Sequence, residues 1–117
     1  MQDLRITLVQ ANQIWEDKAA NLAHYETLLE SVAQTDLVLL PEMFQTGFSM
    51  HAAALAEQAE SSESISWLKA QAKAKHAAFY TSLIIEENGN YSNRGVFAEP
   101  SGKVTYYDKR KLYGMAE

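Results

Sequence analysis

The stretch of residues 37–44 places the tightest constraint on the fold, because it joins a buried strand directly to an acidic residue. Leu37-Val38-Leu39-Leu40 is a run of four apolar residues, which is typical of a strand covered on both faces. Pro41 lacks the backbone N–H of a strand ladder, so we predict that the strand ends there. Glu42 would then lie at the edge of a core, where partial burial raises the pKa of a carboxyl group and suits it to proton transfer.

The residues before this stretch predict a strand and a helix. Residues 4–10 alternate in polarity. One face of that strand carries Leu4, Ile6 and Leu8. Asp17 is a suitable N-cap for a helix that extends to about Gln34. Its apolar stripe consists of Leu22, Tyr25, Leu29 and Val32. Strand, helix and buried strand make a βαβ unit, so we expect the first two strands to pair in parallel.

The middle of the chain predicts a loop followed by helices. Residues 45–50 have no sustained period, and we expect a loop beside the end of the buried strand. Residues 51–60 are rich in alanine and acids, which favours a short helical segment. A longer helix is predicted from Ser61, with Ser61 or Ser62 as its cap, to about Ala77. Its apolar side consists of Ile65, Leu68, Ala72 and His76.

The last third predicts antiparallel strands joined by tight turns. These strands extend over residues 79–86, 91–99 and 103–107. Asn88-Gly89 is a strong hairpin signal between the first two, and Pro100-Ser101-Gly102 turns the chain into the third. A charged run, Asp108-Lys109-Arg110-Lys111, follows where the third strand ends. Without a linker or repeat in the sequence, we expect residues 1–117 to form a single domain.

Glu42 and Lys109 are the residues we select for chemistry. Each follows a predicted strand, and strand ends in α/β proteins converge on a common crevice. The alternative is that Glu42 is a solvated loop acid and Lys109 one charge of a surface cluster. Strand positions alone leave both interpretations open.

Charge and composition argue against several classes of partner and cofactor. The formal net charge of −5 disfavours binding to nucleic acid or an anionic membrane. The chain has no cysteine, and its three histidines lack ligand-like spacing, so we expect no metal site. No phosphate-cradling glycine motif is present, and we expect no cofactor. Without a secretory signal or a long apolar run, we expect a cytoplasmic protein whose ligand is a small molecule.

Several separated segments resemble the nitrilase superfamily of carbon-nitrogen hydrolases. They are Leu39-Leu40-Pro41-Glu42-Met43-Phe44 with Gly47-Phe48, the strand containing Asn93, the turn Pro100-Ser101-Gly102-Lys103, and Tyr107-Asp108-Lys109-Arg110-Lys111-Leu112. The segments occur in the family's order and span the chain. The sequence from Glu42 to Met50 is most similar to sequences of an omega-amidase-like bacterial branch of this family.

The resemblance implies a role for each selected residue. Glu42 matches the general base that takes a thiol proton and later activates water, and Lys109 matches the lysine that stabilises the oxyanion. The cysteine nucleophile of the family is absent from this chain. Lys111 stands where many members carry histidine, which makes it a rival to Lys109. Glu117 lies near the place of a second family glutamate.

The resemblance also implies an architecture and an activity. The fold is expected to be α/β, a four-layer α-β-β-α sandwich of which this chain forms the N-terminal half. We expect part of an amidase that cleaves a small linear amide to acid and ammonia. Phe44 and Phe48, which flank the site loop, are candidates for shaping the substrate pocket, and burial alone would explain them equally well. The open half-sandwich should associate with the missing C-terminal portion or form a homo-oligomer. The alternatives are a catalytically inactive binding or regulatory subunit, or a stand-alone α/β domain.

Overall fold

A parallel βαβ unit begins the fold. The computed structural model describes residues 3–46 and 55–111, with side chains up to residue 109. The first elements are β1 (Ile6–Leu8), α1 (Lys18–Leu29) and β2 (Leu37–Glu42). β1 and β2 pair in parallel, with Ile6 opposite Leu37. The predicted parallel pairing of the first two strands is therefore confirmed.

A local signal sets the start of α1, whereas a distant residue caps its end. The Asp17 side chain accepts a hydrogen bond from the backbone N–H of Ala20, which confirms Asp17 as the N-cap. The helix ends at Leu29, short of the predicted end near Gln34. Lys75 donates to the Leu29 carbonyl oxygen at 2.7 Å. Local turn bonds from the Ser31 and Val32 N–H groups also satisfy the last carbonyls of the helix. The apolar periodicity of the sequence shows neither these bonds nor the contact with Lys75.

The remaining elements complete one mixed sheet and add a second helix. They are β3 (Glu57–Gln58), a 3₁₀ turn (Ala59–Ser61), α2 (Glu63–Lys75), β4 (Ala78–Glu87), β5 (Asn90–Ala98) and β6 (Val104–Lys111). The strand order is β1-β2-β4-β5-β6, and β3 also pairs with β4. β4 is parallel to β2 and β3, whereas β5 and β6 are antiparallel to their neighbours. The predicted hairpin at Asn88-Gly89 is confirmed, and both residues have the positive φ that a tight two-residue turn requires.

Two predictions in the middle of the chain are wrong where the structure describes it. Glu57 and Gln58 form β3 instead of part of a helix, because they pair with β4 and Gln58 donates to Glu86 at 2.7 Å. A two-residue strand has no period that a sequence could display. His76 is exposed in a left-handed conformation after α2 instead of lying on its apolar side. Residues 47–54, which include part of the predicted loop and helical segment, lie outside the described residues.

The two faces of the sheet differ in what covers them. Val38, Phe79 and Ala98 lie directly opposite one another on neighbouring strands, so their side chains share a face. Both helices cover this face and form the main hydrophobic core with it. The opposite face carries Ile6 and Leu8, whose exposed fractions are 50% and 71%. The described residues thus form one helical layer and one sheet layer, and we call the face that no described helix covers the uncovered face. Part of that face is still buried, because Met43 and Leu55 pack against Ile84 there. No helix among them is long and apolar enough to span a membrane.

Candidate active site

A bulge in β2 sets the direction of Glu42. Leu39 lies opposite Tyr80, but Glu42 lies opposite Ser82, so β2 has one additional residue between these pairs. Such a bulge moves a side chain to the other face of a sheet. The prediction that Pro41 ends the strand is wrong, because the ladder resumes at Glu42 after the bulge. The Pro41 carbonyl oxygen accepts a hydrogen bond from the Thr81 hydroxyl at 2.7 Å, which satisfies the bulged backbone.

The backbone turns sharply after Glu42. Met43 has a φ of 50°, which is uncommon for a residue with a side chain. Its backbone N–H donates to the carbonyl oxygen of Ser82 at 2.9 Å and to the Ser82 hydroxyl at 3.1 Å. These two bonds hold a strained residue beside the selected carboxylate, and strain of this kind often accompanies functional sites.

A second bulge positions Lys109. Arg94 pairs with Asp108 and Asn93 pairs with Arg110, so Lys109 is the additional residue in β6. Arg94 donates to both carboxylate oxygens of Asp108, at 2.6 and 3.2 Å. The hydrogen bonds from Arg94 hold the pKa of Asp108 below its ordinary value, and the same bonds raise the pKa of Arg94. This ion pair fixes the register of β6 next to Lys109. It also explains why the strand continues past its predicted end at Tyr107.

Glu42 and Lys109 meet across two intervening strands. Glu42, Ser82, Gly95 and Tyr107 form one row of cross-strand neighbours on the uncovered face. β2 and β6 are three strand spacings apart, about 14 Å, so two long side chains can meet only above small neighbours. Ser82 and Gly95 are those neighbours, and a Cβ at Gly95 would lie 2.6 Å from the Tyr80 hydroxyl. Lys109 Nζ donates to Glu42 Oε1 and forms a salt bridge with it.

The structure corrects two expectations about this pair. Lys109 lies within β6, so the two residues meet through sheet register and not by following converging strand ends. The side chain of Glu42 is 65% exposed, which contradicts the expected partial burial. Both described helices lie on the other face of the sheet, so no helix covers the Glu42 carboxylate.

Asn93 is a site residue that the sequence did not reveal. It lies on β5 and is only 5% exposed. Its side-chain Nδ2 donates to Glu42 Oε1 at 3.3 Å. In the sequence Asn93 stood out only as part of a strand that resembles the family, and strand periodicity does not show which residue its side chain faces.

The other selected residues do not join this pair. Phe44 is fully buried on the helix-covered side, where its ring packs against Tyr25 and Trp67 with centroids 5.4 and 5.5 Å apart. Phe44 therefore belongs to the hydrophobic core, as the alternative of burial expects, and its role in a substrate pocket stays a prediction. Phe48 and Glu117 lie outside the described residues, as does the side chain of Lys111. Among the described residues, no His, Cys, Asp or Glu cluster could hold a metal ion.

A buried carboxylate supports the turn that follows Glu42. Glu57 is 7% exposed and accepts hydrogen bonds from the hydroxyls of Ser62 and Ser64 and from the Ser64 backbone N–H. Gln45, in the turn, also donates to it at 3.5 Å, and Lys18 lies 3.7 Å away. Burial by itself raises the pKa of Glu57, but the serine hydrogen bonds and the lysine charge outweigh burial and hold the pKa below its ordinary value.

Comparison with protein-family models identifies the family. The model described as carbon-nitrogen hydrolase matches residues 5–117. The chain belongs to the carbon-nitrogen hydrolase family. It is 38% identical over 117 residues to the Omega-amidase YafV of Escherichia coli (strain K12), covering 100% of this chain and 45% of that relative. It is 41% identical over 118 residues to the Omega-amidase YafV of Yersinia enterocolitica, covering 99% and 44%. The chain therefore spans less than half the length of these curated relatives.

Solved structures confirm the fold that the resemblance implied. The carbon-nitrogen hydrolase superfamily protein XC1258 from Xanthomonas campestris, which carries an arsenic adduct in its active site, matches with a TM-score of 0.88 and 42% identity. That match covers 97% of this chain and 43% of the other. An N-terminal amidase matches with a TM-score of 0.82 and 20% identity, over 94% of this chain and 28% of the other, which shows the fold alone. The α/β fold is therefore of the nitrilase type.

Proposed function

We propose that this chain supplies the general base and the oxyanion-stabilising lysine of an amidase. The observation that carries the proposal is the contact between Glu42 and Lys109 on the uncovered sheet face. A carboxylate and an ammonium held together can accept a proton and stabilise an oxyanion on the same substrate. The family membership supports hydrolysis of a carbon–nitrogen bond.

The proposed mechanism needs a thiol from outside these 117 residues, because the chain has no cysteine. Glu42 takes the thiol proton, and the thiolate attacks the amide carbonyl carbon. Lys109 stabilises the oxyanion of the tetrahedral intermediate. Glu42 returns the proton to the leaving nitrogen, ammonia departs, and a thioester forms. Glu42 then activates water, which cleaves the thioester to the acid and regenerates the thiol. The substrate we propose is a small linear amide, specifically an omega-amide of a dicarboxylic acid, because the relatives are omega-amidases.

Ammonia release tests this proposal. We expect a longer protein that contains residues 1–117 and a cysteine nucleophile to release ammonia from such an omega-amide, and a thiol-alkylating reagent to abolish the release. The 117-residue chain alone should release none. Thiol-independent ammonia release, or release by the isolated chain, would contradict the mechanism. A longer protein without turnover on any small amide would instead support the inactive binding subunit.

The uncovered face supports a second proposal, on association. Besides Ile6 and Leu8, it carries Tyr107 with an exposed fraction of 70%. Apolar side chains in such number on one open sheet face favour a covering partner. We propose that residues of the longer protein cover this face and bring Glu42 the burial that the described chain does not provide. The isolated chain should then associate in solution, and light scattering that finds a stable monomer would contradict this.

A further inference from the structure

Asn93 occupies a distinctive place in the sheet. It lies opposite Ile84 of β4 and Arg110 of β6, on the same face as Glu42. The next residue, Arg94, begins the register shift that accommodates the bulge at Lys109. Asn93 therefore lies between the two strands whose bulges aim the selected carboxylate and ammonium.

The side-chain amide of Asn93 has one orientation that fits its surroundings. Its Nδ2 lies 3.3 Å from Glu42 Oε1, and a carboxylate oxygen requires a donor from the amide. Lys109 donates to the same oxygen. Two donors on two different strands thus hold one end of an exposed glutamate, whose rotatable bonds would otherwise allow several rotamers.

Folding alone does not explain a buried asparagine at this position. Its Oδ1 is buried and finds no hydrogen-bond donor in the described part of the chain. An unmet buried acceptor lowers stability. Asn21, by contrast, is fully buried and uses both ends of its amide: Nδ2 donates to the carbonyl oxygens of Ile14, Asp17 and Gln45, and Oδ1 accepts from the Ile14 N–H. Asn21 has the bonding of a structural residue, and Asn93 does not.

We propose that Asn93 is a positioning residue for Glu42, an inference that rests on the proposed amidase function. Lys109 has two tasks in that mechanism, because it bonds Glu42 at rest and must turn toward the oxyanion during the reaction. The side-chain amide of Asn93 is neutral, so the charge of the oxyanion does not draw it away from Glu42 as it draws Lys109. It keeps the carboxylate aimed at the thiol and later at water while the lysine bond weakens.

The test uses the longer protein with Asn93→Leu, which has nearly the same volume and lacks the donor. We expect kcat to fall about 10- to 100-fold, as for loss of a hydrogen bond to a charged group, with KM within about twofold of wild type. The unfolding midpoint should stay the same or rise, because the unmet acceptor is removed. Asn90→Leu, at an exposed position of the same strand, is the matched control and should leave kcat unchanged.

A spectroscopic measurement needs no variant of Asn93 itself. In the longer protein, Glu42→Gln should shift the side-chain amide resonances of Asn93 and leave those of Asn21 in place. If Glu42→Gln abolishes turnover but Asn93→Leu keeps wild-type kcat, the inference is overturned while the proposed function stands. If Asn93→Leu loses stability and activity in proportion, Asn93 is structural and the inference is equally overturned. Wild-type turnover in Glu42→Gln overturns the proposed function instead.

Discussion

Glutamine in place of Glu42 is expected to lower kcat of the longer protein by about 10³-fold, within the range for loss of a general base. The amide has almost the shape of the carboxylate but cannot take the thiol proton. Stability should hardly change, because Glu42 and Lys109 form an exposed ion pair, and such pairs contribute about 0–1 kcal/mol. The measurement is steady-state ammonia release, with urea unfolding of the same preparation.

Glu30→Gln is the control for this experiment, since Glu30 is an exposed glutamate that follows α1. It should keep wild-type kcat and stability. Undiminished turnover in Glu42→Gln would remove Glu42 from the mechanism. If the unfolding midpoint falls together with kcat, the loss of activity comes from a destabilised fold and not from the loss of a general base.

Alanine in place of Glu57 is expected to destabilise the protein by about 1–3 kcal/mol, the usual cost of leaving buried hydrogen-bond donors without an acceptor. The change leaves the hydroxyls of Ser62 and Ser64 and the Ser64 N–H without their acceptor in a buried place. Urea unfolding measures the loss. Glu60→Ala, at an exposed position three residues later, should change the free energy of unfolding by less than about 0.5 kcal/mol. Equal effects of the two variants would contradict the assigned role.

The same residue predicts how stability depends on pH. The folded-state pKa of Glu57 is lowered, because the hydrogen bonds from Ser62 and Ser64 outweigh the effect of burial. The contribution of ionised Glu57 to the free energy of unfolding is therefore fully present above the unfolded-state pKa of about 4.3. It is lost as the pH falls through the folded-state pKa. We expect the wild-type protein to lose more stability than Glu57→Gln over this acid range. Parallel stability curves for the two proteins would contradict this.

Local signals in the sequence were enough for most elements of the fold. The apolar run before Pro41, the cap at Asp17 and the turn at Asn88-Gly89 each depend on a few neighbouring residues, and the structure contains the predicted strand, helix start and hairpin. Elements whose limits depend on distant partners were predicted less well. Lys75 bonds the last carbonyl of α1, and β6 continues because Arg94 pairs with Asp108.

Local sequence signals were sufficient to predict the buried strand before Glu42 and the βαβ unit around it. The sequence also named Lys109 as the partner of Glu42, with Lys111 as a rival. How that pair meets became visible in the folded chain alone. Its geometry depends on two bulges, on the small residues Ser82 and Gly95 between them, and on Asn93. The folded chain also places the pair on the uncovered face and leaves the side chain of Glu42 exposed. The position of Lys109 relative to Glu42 depends on the hydrogen-bond register of three successive strand pairs. Local periodicity in the sequence does not specify how separate strands align, so it could not predict this position.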